Sequence, residues 1–297
     1  MARRVRANGV ELSVFEWAGA SPPVLLVHAT GMHARCWDAV VARLPDVRVL
    51  AVELRGHGRS ERHPPYTWPE ISRDVGALCE VLGLRDVIAV GHSIGGFCIA
   101  WNAAEHPGWL RAVVLIDPVI FSPETEAARA AEPATEEHFT ARRRARFASP
   151  DEMIERFAKR PPYSGWRPEV LRAYCEHGLI RGDDGEGYLL ACPPQVEAAV
   201  YSSRRGGDIH ARLARIAVPT TVLRAPSGEA GARFDFSRSP TWAGLASAIP
   251  GAVDVFLPEC SHFIPMEVPE RVAETIAKVR AATSRGGQDG VSTAGRE

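Results

Sequence analysis

Val87-Ile88-Ala89-Val90-Gly91-His92-Ser93-Ile94-Gly95-Gly96 is the stretch on which the fold is decided. Its first four residues form a continuous apolar run, the pattern of a strand buried on both faces. Phe97 to Glu105 reads as a helix, so the Gly-x-Ser-x-Gly between them turns a strand directly into a helix. A serine at such an apex must hold a strained backbone conformation to project its hydroxyl. Flanking side chains would collide in so sharp a turn, which explains Gly91 and Gly95. A bare Gly-x-Ser-x-Gly arises by chance in roughly one chain in ten of this length. The strand before it and the helix after it separate this one from a simple Gly-rich turn.

Outward from this segment the alternation continues. Val24 to Val27, Val47 to Val52 and Ala112 to Ile116 are further apolar runs, with helical stretches between them. In one helix, Thr67-Trp68-Pro69-Glu70 has the pattern of a capping box, and Ile71, Val75, Leu78, Cys79 and Leu82 follow at helical spacing. Strand–helix–strand repetition predicts a mostly parallel central sheet flanked by helices. After Pro118 the strand signal fades. Ser149-Pro150-Asp151-Glu152 opens a helix, Glu169 to His177 is another, and Arg181 to Gly187 is a polar loop. Strands return at Val218 to Leu223 and Val253 to Leu257, and a helix from Pro269 to Ala282 closes the fold. The division is therefore a core of residues 1–120 and 213–283, a helical insertion over 121–212, and a polar tail over 284–297 expected to be disordered. An insertion after a strand's C-terminal end lies over the edge where open α/β sheets bind ligands, as a cap or lid would.

Composition bounds the function. The chain has 297 residues, 45% hydrophobic and 24% charged, with a formal net charge of -1. That balance excludes global disorder and supplies no basic field for a nucleic-acid backbone. No apolar run is long enough to span a membrane. Met1 to Arg6 is basic without the apolar stretch of a secretion signal. The six cysteines (Cys36, Cys79, Cys98, Cys175, Cys192, Cys260) form no C-x-x-C pair and read as free thiols in a reducing compartment. A cytoplasmic location is the expectation. Self-association as a homodimer stays open.

A serine hydroxyl needs a base. Of ten histidines, His262 in Cys260-Ser261-His262-Phe263 follows the last strand and so falls at the same sheet edge as Ser93. His106, His138, His177 and His210 read as surface or core residues, and His92 as packing beneath the turn. No H-E-x-x-H and no G-x-G-x-x-G after a strand occurs, so neither metal, nucleotide nor other cofactor is implied. Ala141 to Arg146 is basic and reads as a solvated helix face, with an acidic substrate steered to the cleft as the alternative. Trp37, Trp166, Tyr163 and Phe121 are candidates for an apolar pocket, although aromatics are more often core.

The chain resembles the α/β-hydrolase family, specifically its cap-bearing serine hydrolases, in four segments taken in order. His28-Ala29-Thr30-Gly31 is similar to the family's oxyanion loop, with Ala29 where Gly is usual. Glu53 to Ser60 is similar to its D-x-R-G-x-G-x-S turn, with Glu53 in place of Asp. Gly91 to Gly95 matches the turn bearing the nucleophile, and Ser261-His262-Phe263 the histidine loop. The resemblance implies that Ser93 attacks, that His262 is the base, and that the backbone N–H groups of Ile94 and Thr30 form the oxyanion hole, with Ala29 as the alternative to Thr30. The family usually places the third carboxylate after the strand ending near Leu223, where this chain has Arg224 to Glu229. Some members carry it at the end of the strand here ending at Ile116, which points to Asp117. Asp117 is preferred and Glu229 is the alternative. Members that use an aspartate nucleophile, haloalkane dehalogenases and epoxide hydrolases, are disfavoured by Ser93. The implied activity is hydrolysis of a small to medium carboxylic ester or lactone. Carbon–carbon bond hydrolysis, lyase chemistry and a receptor-like role with little turnover are the alternatives.

Overall fold

The protein is described by a computed structural model covering residues 2–131, 138–203, 208–228 and 238–285. The chain opens with β1 (Ala2–Ala7), β2 (Val10–Trp17) and β3 (Ala20–Val27), then α1 (Asp38–Val41), β4 (Val47–Val52), α2 (Trp68–Val81), β5 (Val87–His92), α3 (Ile94–Glu105) and β6 (Leu110–Ile116). There follow α4 (Pro123–Ala131), β7 (Arg146–Phe147), α5 (Pro150–Phe157), α6 (Pro168–His177), β8 (Leu179–Arg181), β9 (Tyr188–Leu190), α7 (Pro194–Ser202) and α8 (His210–Leu213). The chain closes with β10 (Thr220–Arg224), β11 (Val253–Phe256), α9 (Ile264–Glu267) and α10 (Pro269–Arg285).

Eight strands form one sheet in the order β1-β2-β4-β3-β5-β6-β10-β11. From β4 to β11 every pairing is parallel, while β1 and β2 add an antiparallel edge. Parallel strands need covering on both faces. Accordingly β5 is buried at every position, with Val87 and Ala89 in one apolar cluster and Ile88 and Val90 in another on the opposite face. The parallel sheet expected from the sequence is present. The antiparallel hairpin of β1 and β2 is an addition that the sequence pattern does not reveal, because Arg3, Arg4 and Arg6 on an edge strand mask the alternation, leaving only the β2 side apolar.

Among the described residues between β6 and β10 none joins the large sheet. The middle of this stretch builds a third apolar cluster, in which Phe147, Met153, Trp166 and Tyr174 pack with Ala29 and Met32 after β3 and with Phe263 and Met266 after β11. Those contacts set it over the strand exits. The end of the stretch behaves differently: Val200, Ile209 and Leu213 join the cluster beneath α2 and α3. Residues expected to hold only helices and loops also contain a small sheet in the order β7-β9-β8. Strands this short show no readable period in sequence.

Local differences have local causes. Thr67 does not cap α2 through its side chain. Glu70, the expected reciprocal partner, instead accepts from Asn8 at 3.0 Å and from Arg73 at 2.6 Å. Ser149 does cap α5, accepting from the Glu152 N–H at 3.1 Å. The last helix runs past Ala282 to Arg285, so the expected tail begins later than residue 284, and residues 286–297 lie outside the described part. All six cysteines are free and buried. Among the described residues no helix is long and apolar enough to cross a membrane.

The Glu53 to Ser60 turn is held by charge. Arg55 is buried and makes two bonds of 2.7 Å to Asp74 of α2. Removing one partner of such a pair leaves an uncompensated buried charge. Asp74→Ala should therefore lower unfolding free energy by about 3–5 kcal/mol, read from urea denaturation followed by circular dichroism.

Candidate active site

Ser93 sits between β5 and α3 with φ 59° and ψ −119°, a conformation that L-residues rarely hold. Close approach enforces it. A Cβ at Gly91 would lie 2.2 Å from the Gly95 carbonyl oxygen, and one at Gly95 would lie 2.2 Å from that of Val27. The backbone is pinned as well: the Ser93 N–H donates to Ile116 at 3.1 Å, and its carbonyl accepts from Phe97 at 3.1 Å, the first turn of α3. Ile94 is thus the first helical residue, and an N–H there has no acceptor within its own helix.

Three side chains from distant parts of the chain meet at this turn. His262 Nε2 lies 3.0 Å from Ser93 Oγ, and its Nδ1 lies 2.6 Å from Asp117 Oδ2. Asp117 follows β6 at a positive φ of 42°. Its other carboxylate oxygen accepts from the Ala225 N–H at 2.9 Å and the Ser239 hydroxyl at 2.6 Å. With an acceptor at Nδ1, the imidazole carries its proton there and offers Nε2 as a base toward the serine. All three residues are buried, with Ser93 6% and His262 4% exposed, so little water competes for these bonds. Glu229 lies outside the described residues.

His92, expected beneath the turn, does more than pack. Its Nε2 donates to the His262 carbonyl at 2.8 Å, and burial, together with His262 nearby, pushes its pKa down to about 3. It is therefore a neutral brace joining the serine turn to the histidine loop. The loop is also held by Glu267, which accepts from the Ser261 N–H at 2.8 Å.

Thr30 lies beyond the exit of β3, the strand paired with β5. The loop is braced by His28, whose Nε2 accepts from the Leu54 N–H at 3.0 Å while Nδ1 donates to Ala29 at 2.8 Å. Burial holds this imidazole well below its ordinary pKa, as both bonds require of the neutral ring. Gly31, at φ 75°, abuts the buried Glu197 carboxylate, which a Cβ would approach to 2.9 Å.

A cavity of about 480 Å³ is lined by Thr30, Met32 and Phe263, neighbours of the site although Ser93 and His262 do not line it, and by residues of the insertion. Tyr163 and Trp166 line it as aromatic walls. Trp37 instead is core beneath the sheet, and Phe121 is not on the wall. The stretch expected to be a solvated helix face is not helical throughout, and Arg142, Arg144 and Arg146 are exposed as expected, whereas Arg143 is half-buried. Helical turns end at Arg142, and Arg142, Arg143 and Arg144 all line the cavity. Beyond Arg142 the extended chain alternates in burial, so Arg143 turns to the buried Glu197 while Arg144 stays exposed at the cavity edge. Arg143 donates to Glu197 at 2.6 Å and to the Tyr174 hydroxyl at 3.2 Å. Sequence reading missed Ser239, Glu197 and the bracing role of His92, since each acts through a partner remote in sequence. Among the described residues no group of His, Cys, Asp or Glu is arranged to hold a metal ion.

Comparisons with known proteins bear on the family and the fold. The model of the alpha/beta hydrolase family matches residues 24–275. The lipase LipV of Mycobacterium tuberculosis is 28% identical over 276 residues, covering 90% of this chain and 97% of that protein. Among solved structures, E-2-(acetamidomethylene)succinate hydrolase superposes with a TM-score of 0.75 at 25% identity, covering 94% of this chain and 98% of that one. A thermophilic esterase from Thermogutta terrifontis, solved with malate bound, superposes with a TM-score of 0.65 at 27% identity, covering 95% and 99%.

Gly95→Ala should be costly, because its methyl can be admitted only by moving the Val27 backbone. Overpacking of this kind destabilises by about 1–3 kcal/mol, and the urea midpoint of the variant would show it.

Proposed function

This chain belongs to the alpha/beta hydrolase family, and from that premise we propose that it is a serine hydrolase cleaving a small to medium carboxylic ester or lactone through an acyl-enzyme. The observation that carries this reading is the continuous contact Asp117–His262–Ser93, at 2.6 and 3.0 Å. In it a general base faces a serine hydroxyl, and a carboxylate fixes the base's tautomer.

Ser93 Oγ attacks the substrate carbonyl while His262 Nε2 takes its proton. The carbonyl oxygen gains the charge, and the N–H groups of Ile94 and Thr30 stabilise it. The imidazolium is stabilised by Asp117 and returns the proton to the leaving alkoxide as the carbon–oxygen bond breaks. Water, deprotonated by the same imidazole, then attacks the acyl-serine and releases the acid. Within residues 121–212, those from Phe139 to Tyr201 that line the cavity act as the cap that roofs the pocket and selects the acyl or alcohol group. A cavity of about 480 Å³ suits a ligand of that size. The relationship to LipV, named a lipase, supports ester chemistry.

Intact-mass spectrometry after exposure to a fluorophosphonate tests the nucleophile. One adduct is expected on the wild type and none on Ser93→Ala; an unlabelled, well-folded wild type would sink the proposal. A second outcome concerns the acid. Asp117→Asn leaves the wrong His262 tautomer and should lower kcat by about 10⁴, measured on whichever ester of a panel the wild type turns over. An undiminished rate would remove Asp117 from the mechanism.

A further inference from the structure

The cavity wall has an unequal charge. Its described residues include Arg142, Arg143, Arg144, Arg156 and Arg160, set against the carboxylate of Glu197. Two of these arginines are neutralised: Arg143 pairs with Glu197 at 2.6 Å, and Arg144 pairs with Glu152 at 2.5 Å. Arg142, Arg156 and Arg160 have no carboxylate within ion-pair distance among the described residues. The chain as a whole carries a net charge of -1, so this excess is local rather than a property of the composition.

Arginines at a surface need no special explanation when they point into bulk water. Arg142 and Arg160 are exposed and Arg156 is half-buried, yet all three line one opening from different segments, Arg142 from before β7, Arg156 from α5 and Arg160 from the turn after it. The walls between them are Phe147, Phe157, Tyr163 and Trp166, which are of low dielectric and supply no counter-charge. A cleft lined by one sign of charge with such walls focuses its field and concentrates ligands of the opposite sign. The interior end is also provided for. A guanidinium has five N–H donors, and Arg143, held in place by Glu197 and Tyr174, uses two of its nitrogens on those partners.

We propose that the substrate carries an anionic group, a carboxylate or a phosphate-like oxyanion, remote from the bond that is cleaved, and that Arg142, Arg156 and Arg160 select it. The bond cleavage itself rests on the serine-hydrolase reading, whereas binding of the anion does not. Planar forked guanidinium groups suit either oxyanion. Neutral esters of the same length lack the attraction and enter only through apolar contact.

Isothermal titration of Ser93→Ala separates the two claims, since this variant lacks the nucleophile. Monoethyl glutarate is expected to bind about tenfold or more tightly than ethyl pentanoate at low salt, with the preference shrinking as NaCl is raised. In Ser93→Ala carrying Arg142→Gln, Arg156→Gln and Arg160→Gln, the ratio should fall toward unity. Equal affinity for the two esters, or a preference that survives the triple substitution, overturns the inference. Ethyl 3-phosphonopropionate in the same titration tells a phosphate-like preference from a carboxylate one. Should Ser93→Ala fail to fold, the thermal shift of the wild type with glutarate against the neutral pentanamide decides the same question. Failure of the hydrolase reading would appear separately, as a wild type that prefers the anion yet takes no fluorophosphonate adduct.

Discussion

The carboxylate of Asp117 gathers hydrogen bonds from three separate parts of the chain: the Ala225 N–H after β10, the Ser239 hydroxyl, and His262 after β11. Ala225 and Ser239 lie in the connection between β10 and β11, and His262 follows β11. The carboxylate is wholly buried, and a buried charge persists only where its lone pairs are occupied. The strand exits, the histidine loop and the serine turn are thus mutually dependent. Misplacing any one of them leaves a buried charge or a buried imidazole without its partner.

Around that centre the protein keeps other buried histidines neutral and uses them as struts. His28 ties the loop after β3 to the turn after β4, and His92 ties the serine turn to the histidine loop. A neutral imidazole can donate with one nitrogen and accept with the other, so it can span two backbone groups where an aliphatic side chain would leave them unpaired. Burial lowers the pKa of both rings and thereby maintains the protonation state that this bracing needs. Rigid support of this kind places reacting groups better than loops alone can.

The insertion supplies contrast. Its apolar cluster locks onto the loops after β3 and β11, so the roof and the reacting groups share packing. Its polar residues, Arg143 and Glu197 foremost, meet across 2.6 Å beside the loop that carries Thr30. The roof of the cavity and the Ser93–His262–Asp117 contact are therefore built from different residues on one connected surface. This division is the one by which a single scaffold comes to serve many substrates.

Much of this was readable in the sequence. Apolar runs of four to six residues separated by amphipathic helices determine a parallel sheet, because only burial on both faces makes such runs favourable. Gly91, Ser93 and Gly95 determine a sharp turn, because only glycine tolerates the backbone contacts around it. The placement of His262 after the last strand and of Asp117 at the end of β6 put both at the same sheet edge as Ser93. Tertiary structure alone decided the rest. That Asp117 faces His262, that Ser239 completes its bonding and that His92 holds the loop depend on residues more than a hundred positions apart. The basic stretch around Arg143 looked like a solvated helix because its composition is the same in either setting. What turned Arg143 inward was its pairing with Glu197 and the extended course of the chain, and neither leaves a periodic trace in sequence. Local pattern records what a segment prefers by itself, whereas a site is made where segments meet.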